Sequence, residues 1–392
     1  MSMLIVSFMS GILARIVTDR LGGWRPGLRA LSGVRPRLHH IVVTYLLLHI
    51  GFAGGMEIAH GVFGALVIPG LLSVGLALAM FAFSWVMFPM VGLRDRESRV
   101  AVAVHFGSVS VGTFAAAQSV LVSRGVPFDA AAAAWLALME VPAIIAGAIV
   151  LGGGVRSAIG VLQDKHILTI MGAFLLGYTS VFWLPLGVWR VFDAPFVVFL
   201  AYFLLEMGYR AGGYLSQLRQ GGVRLVLFGI VMPLFGGVLG SIVGTLVGIT
   251  LGNLVLLSTL AASASYVAAP AAMSRLVPPR AVATGLTLSL GVVLPWNITV
   301  GIPLYLRLAN ALEGGVPRLG SGAEVPVMLM MLLSVVFLGA VAVMRRWGAL
   351  RAPRMGIKLS VLQCRRDASP VSICYDASQL SCLQGARPRS YP

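Results

Sequence analysis

Eleven long apolar runs follow one another along this chain of 392 residues, each bounded by charge or by Pro and Gly. They fall near 2–17, 41–59, 61–90, 99–123, 127–151, 167–188, 193–211, 223–247, 252–273, 281–306 and 325–344. A helix crosses a bilayer with about 20 mostly apolar residues. In lipid every backbone N–H and C=O must be paired inside the protein, and a helix pairs its own. The sequence therefore specifies an all-α polytopic membrane protein. Only 11% of the residues are charged, and the mean hydropathy is +0.93. A soluble domain carries about a quarter charged residues. A soluble enzyme, a disordered protein and a nucleic-acid-binding domain are thereby excluded.

The net charge of +16 is a topology signal. The connections after odd-numbered runs hold 16 Lys and Arg, those after even-numbered runs 4, and the stretch beyond residue 344 another 9. Basic loops stay in the cytoplasm. The N-terminus is then outside, the odd loops and C-terminal tail are cytoplasmic, and the membrane is the inner (plasma) membrane. No nucleic-acid partner is expected. The first run starts almost at Met1 without a basic n-region or A-x-A site, so it does not read as a signal peptide; its shortness suggests a late start. Residues 345–392 turn polar and basic, without helical period, and read as a disordered tail. Arg345, Arg346, Arg351 and Arg354 suit anionic lipid or a plain stop-transfer flank. Cys364, Cys374 and Cys382 all lie in the tail and match no zinc or disulfide pattern.

The chain repeats itself. His49, Gly51, Phe52 and Gly55 align with Glu206, Gly208, Tyr209 and Gly212 at an offset of 157. Gly107-Ser108-Val109-Ser110 aligns with Ala262-Ser263-Ala264-Ser265 at 155, and Pro142 with Pro295 at 153. Pro69 and Pro233 mark the third and eighth runs. Five spans is an odd number, so the second copy enters the membrane inverted, as in many secondary transporters. The expected organisation is a first five-helix repeat over 1–151, an inverted second over 152–306, a loop and extra helix over 307–344, and the tail.

Runs four and nine are small and hydroxyl-rich at matching places. Such helices can break, and a break at membrane depth is tolerated where it lines a cavity. The new N-terminal half-end offers N–H groups and a positive dipole to an anion. Freed carbonyls at the other half-end suit Na⁺. Two such breaks crossing would hold a small anion at Gly107, Ser108, Val109, Ser110, Ala262, Ser263, Ala264, Ser265 and Tyr266. The same letters also serve simple helix packing.

Ionisable groups inside a membrane are candidates for function. Glu140, two residues before Pro142, suits a Na⁺ ligand or proton carrier, or else a hydrogen-bonded structural carboxyl. Asn297, beyond Pro295, offers an amide oxygen beside carbonyls that proline frees. With Ser110 and Ser265 these form the candidate cation set. Glu206 and Arg210, one turn apart, read as a structural ion pair. His105 reads first as an interhelical hydrogen bonder, and His49 has less claim to a direct role. No enzyme signature and no P-loop occur. No cofactor is expected; Na⁺ would be the coupling ion, and transport would run on an ion gradient or passively.

The run Ala261 to Met273, reading AASASYVAAPAAM, resembles the signature of the sodium-dependent bicarbonate transporter family, known chiefly from cyanobacteria. His105 to Ser110, Tyr45 to Gly55, Glu140 to Ile144, Leu286 to Gly291, Pro295, Asn297 and Gly301 to Tyr305 resemble its other landmarks, in order from about 40 to 306. The resemblance implies a core domain sliding against a gate domain, Na⁺-coupled bicarbonate uptake and often a trimer. It implies an anion at 107–110 and 262–266 with Na⁺ close by. The loop after the fifth run, about 152–166, is shorter than in cyanobacterial relatives controlled by a PII-like protein, so that partner is not expected here. The eleventh run and the tail are additional to the family pattern, as a frameshift or fusion would make them. Two other readings stay open: a symporter of another small anion or carboxylate with Na⁺ or H⁺, and a membrane anion sensor or scaffold that moves nothing.

Overall fold

The computed structural model describes residues 2–20, 26–59, 63–92, 95–152, 165–182 and 191–313. Among them the regular elements are all helical. They are α1 (Ser2–Arg20), α2 (Pro26–Glu57), α3 (Phe63–Met87), α4 (Arg96–Gly107), α5 (Val111–Ser123), α6 (Ala133–Val150), α7 (Lys165–Ser180), α8 (Phe196–Leu246), α9 (Leu251–Ala261), α10 (Ala268–Met273), α11 (Pro279–Leu288) and α12 (Ile302–Glu313). Seven stretches of the described residues are long and apolar enough to cross a membrane. Leu168–Ser180 and Leu251–Ala261 are apolar but shorter. The expected eleventh run, the tail with its cysteines and most of the loop at 152–166 lie outside the described residues.

Three expected runs have a different internal form. The seventh and eighth join into one helix, α8, whose backbone leaves helical values only at Gly222 (φ +74°, ψ 178°). A side chain at that φ would meet the backbone, so glycine marks the break. The tenth run carries two π-helical turns, Ser289–Val293 and Asn297–Gly301, around the single α turn Leu294–Trp296. Pro295 lacks an N–H and cannot complete a regular ladder there.

Lipid tails give apolar helices no hydrophobic reason to associate, so close backbone approach does that work. α1 lies along the first arm of α8, and α2 along α7. A β-carbon on Gly208 would fall 2.0 Å from Phe8 O, and one on Gly55 would fall 2.0 Å from Phe174 O. Any side chain would push either pair apart. α3, α4 and α6 pack together, with α11 against α4. Phe81, Val104, Ile144, Ala269 and Met273 fill their shared core. Phe88, Phe106, Phe228, Met232 and Val292 fill a second core against the far arm of α8. Val198, Leu175 and Phe182 stay exposed, as lipid-facing side chains do.

Arg96–Ser123 is 94% buried over its most apolar part, against 39% for Val191–Leu218. The interrupted helix pair is therefore enclosed by protein, where irregular backbone at membrane depth is permitted.

Candidate functional site

The first break begins from a well-made helix. The Asp95 carboxylate caps α4 by accepting the Ser98 N–H at 3.0 Å. Burial works to raise this carboxyl, but the Ser98 hydrogen bonds and the charge of Arg280 outweigh it and hold it below its ordinary value. α4 ends at Gly107, and the chain extends through Ser108 (φ −110°, ψ 162°) to Ser110 (φ −116°, ψ 112°). Glycine fits at 107 because a β-carbon there would fall 2.6 Å from Ala143 Cβ and 2.7 Å from Phe81 Cβ. Val109 is buried in the apolar core. Ser110 Oγ then caps α5, accepting the Thr113 N–H at 3.1 Å and the Thr113 hydroxyl at 2.8 Å. A helix end leaves its first N–H groups without helical partners; those of Val111 and Gly112 remain at the mouth of α5. Beside them the Tyr266 hydroxyl is buried, with no hydrogen-bond partner among the described residues. A β-carbon at Gly112 would fall 2.3 Å from this oxygen and 2.3 Å from Phe203 Cε1.

The second break is longer and is held from outside. α9 ends at Ala261, and α10, 6 residues long, starts at Ala268, with Ser265 Oγ accepting the Ala269 N–H at 3.2 Å. Asn297 Nδ2 donates to Ala262 O at 2.8 Å. The Ser110 N–H donates to Ser263 Oγ at 3.0 Å, joining the two breaks directly. The Ser265 N–H donates to His105 O at 2.8 Å, and His105 Nδ1 lies 2.6 Å from Ser265 O. Ala264 is buried against the second core.

Between the breaks sits Glu140 of α6. Ser108 Oγ and Ser265 Oγ each lie 3.4 Å from its Oε1. A hydroxyl donating to a carboxylate closes to about 2.5–2.7 Å. Both hydroxyls point at the carboxylate from the long end of hydrogen-bonding distance. Of the expected cation set, Ser110 Oγ caps α5, Ser265 Oγ accepts the Ala269 N–H at 3.2 Å, and Asn297 Oδ1 accepts the Tyr305 hydroxyl at 3.2 Å. Ser108, expected only at the anion, is the hydroxyl that reaches Glu140.

A cavity of about 20 Å³ opens here, with Val111, Glu140, Val267 and Ala268 on one side and Leu46 of α2 and Phe203 of α8 on the other. That is room for about one water. Phe203 stacks on Tyr266 with ring centres 6.3 Å apart. Further out, Glu206 pairs with Arg210 at 2.7 Å, and also with His39 at 2.8 Å, a partner without a sequence signal. His49 Nε2 meets Asp193 at 2.8 Å.

Compared with known families, residues 5–310 match the Na⁺-dependent bicarbonate transporter superfamily. No curated protein matches the chain.

Proposed function

The chain belongs to the Na⁺-dependent bicarbonate transporter superfamily, and from that premise we propose that it imports bicarbonate with Na⁺ by alternating access. It is a multi-pass membrane protein of a transporter family, not an enzyme. The observation that carries the mechanism is the meeting of the two breaks around Glu140. Bicarbonate accepts hydrogen bonds from the Val111 and Gly112 N–H groups and from the Tyr266 hydroxyl, where the α5 dipole favours negative charge. Na⁺ sits with Glu140, Ser108 and Ser265 a few ångströms away. Each ion offsets the charge of the other, which makes the two bind better together than alone. That mutual dependence is the coupling.

The cavity is too small for the anion, so loading requires movement. α2 and α8 form one wall and the broken helices the other. Sliding of these two groups past each other opens the site to alternate sides. The glycine-packed pairs support a gate that moves as one body. The paired breaks also favour two inverted five-helix repeats, 1–151 and 152–306. So does a crosswise exchange: His49 of α2 pairs with Asp193, just before α8, and Glu206 of α8, aligned with His49 in the repeat, pairs with His39 of α2. Loop charge supports a cytoplasmic C-terminal tail, an outside N-terminus and residence in the inner membrane, in contact with lipid; a trimer follows from the family likeness.

The test is uptake of labelled bicarbonate into buffered proteoliposomes with carbonic anhydrase inhibited, under an inward Na⁺ gradient or a K⁺ control. Uptake requiring Na⁺ and competed by bicarbonate alone is the expected result. Equal uptake with K⁺ would remove the Na⁺ coupling. Competition by other small anions would move the substrate assignment to them, because a backbone-built site reads charge and size.

A further inference from the structure

His105 has no part in the ion contacts above, yet it joins three elements of the site. It stands in the last turn of α4 and is fully buried. Its Nδ1 lies 2.6 Å from Ser265 O and 3.0 Å from Ser289 Oγ. A carbonyl oxygen only accepts, so Nδ1 carries the proton and shares it between the two oxygens. The backbone repeats the link, since the Ser265 N–H donates to His105 O at 2.8 Å. On the other edge Nε2 has no hydrogen-bond partner among the described residues. It faces Gly285, where a β-carbon would fall 2.4 Å from it. The ring is thus packed closely against α11 at Gly285.

One residue grips both the N–H and the C=O of Ser265, and among the described residues no other group bonds that backbone. α10 holds only the side chain, its Ala269 N–H donating to Ser265 Oγ at 3.2 Å, and leaves the Ser265 peptide to His105. The Ser265 hydroxyl is one of the two at 3.4 Å from Glu140 Oε1. We infer that His105 is a positioning residue for the cation: its Nδ1–H holds the Ser265 peptide so that Oγ faces Glu140. It touches neither ion. This inference rests on the cation site proposed above, and it assigns His105 to Na⁺ affinity without a role at the α5 anion site.

Three variants test it. In His105→Asn the amide nitrogen takes nearly the position of Nδ1 and keeps the donor to Ser265 O. In His105→Gln the amide lies one bond further out, towards Gly285, and loses it. His105→Leu keeps bulk alone. Two quantities are read: the Na⁺ half-saturation of bicarbonate uptake, and the rise in thermal unfolding midpoint of the purified protein in Na⁺ over K⁺. Loss of one well-placed hydrogen bond predicts about a tenfold weaker Na⁺ half-saturation in Gln and Leu, with maximal rate, bicarbonate half-saturation and the Asn variant within about twofold of wild type. The Na⁺-induced rise should shrink in Gln and Leu and persist in Asn. Should Leu fail to fold, Asn against Gln still carries the comparison. Wild-type Na⁺ affinity in Gln overturns the inference, as does an equal loss in Asn and Gln across every parameter, which is the mark of packing alone. If Na⁺ stabilises the wild type but does not drive uptake, the transport reading fails and the unfolding shifts still judge His105. If Na⁺ does neither, both fall.

Discussion

The two breaks match in sequence yet do different work. Ser108 to Ser110 leads into α5, a helix of 13 residues whose first turn is capped by its own serine. Ala262 to Val267 leads into a helix of only 6 residues, whose Ala269 N–H is taken by Ser265 Oγ at 3.2 Å. A helix dipole needs aligned peptides and open N–H groups at its end. The first break has both and stands largely by itself. The second has little dipole to offer; its backbone is held by Asn297 and His105, and its Ser263 hydroxyl by the Ser110 N–H, all from other elements. Similar letters thus give one break the start of a 13-residue helix and the other a set of braced oxygens, which the proposed function assigns to the anion and the cation.

The strongest way to break this division is Glu140→Gln. Removing the Glu140 carboxylate, which lies between the breaks, should weaken the Na⁺ half-saturation of uptake about 100-fold, since ligand charge sets cation affinity. A carboxyl that is merely structural would leave Na⁺ dependence intact. Next is Gly112→Ala, which crowds the mouth of α5 by displacing the ends of Tyr266 and Phe203. The bicarbonate half-saturation should rise about tenfold, one hydrogen bond's worth, while Na⁺ still stabilises the protein against unfolding. Asn297→Ala sharpens the contrast from the other break. It strips Ala262 O of its donor, and a buried group left unpaired costs about 1–3 kcal/mol, while the Tyr305 hydroxyl keeps Pro233 O. Denaturation in detergent should show that loss, whereas the first break should keep its anion affinity.

The smallest effect concerns the helices leading in. Asp95 caps α4, while Thr250 gives α9 no side-chain cap. Asp95→Ala should cost about 1 kcal/mol and Thr250→Ala far less. The Asp95 carboxyl is held below its ordinary value. Its contribution is therefore complete above an unfolded value near pH 4 and fades as pH falls through the lower folded value. Unfolding of wild type and Asp95→Ala across acid pH should converge in that range.

The helical membrane class was legible because long apolar runs leave no other solution in lipid. The two small, hydroxyl-rich stretches were legible as special for the same reason: Gly107 to Ser110 and Ala262 to Ser265 lack the bulk that fills a lipid-facing helix. Their detail was not. An extended stretch of three residues has no 3.6-residue repeat, so nothing in the order of letters tells that Ser108 faces Glu140 while Ser110 caps α5. Asn297 had the right chemistry for a cation, but its partners Ala262 O and Tyr305 belong to the packing of distant elements. The π turns around Pro295 were invisible, since a proline shows where a ladder is interrupted and not how the backbone accommodates it. His39 reaching Glu206 depends on the crossing of α2 and α8, which no spacing along either helix encodes.

The most direct measurement is a pair of titrations in proteoliposomes on wild type, Glu140→Gln and Gly112→Ala. Na⁺ half-saturation is taken at saturating bicarbonate, and bicarbonate half-saturation at saturating Na⁺. Separate shifts are expected, with Glu140→Gln moving the Na⁺ curve and Gly112→Ala the bicarbonate curve. If both variants move the same curve, or Glu140→Gln leaves the Na⁺ curve where the wild type has it, the two breaks do not divide the ions between them.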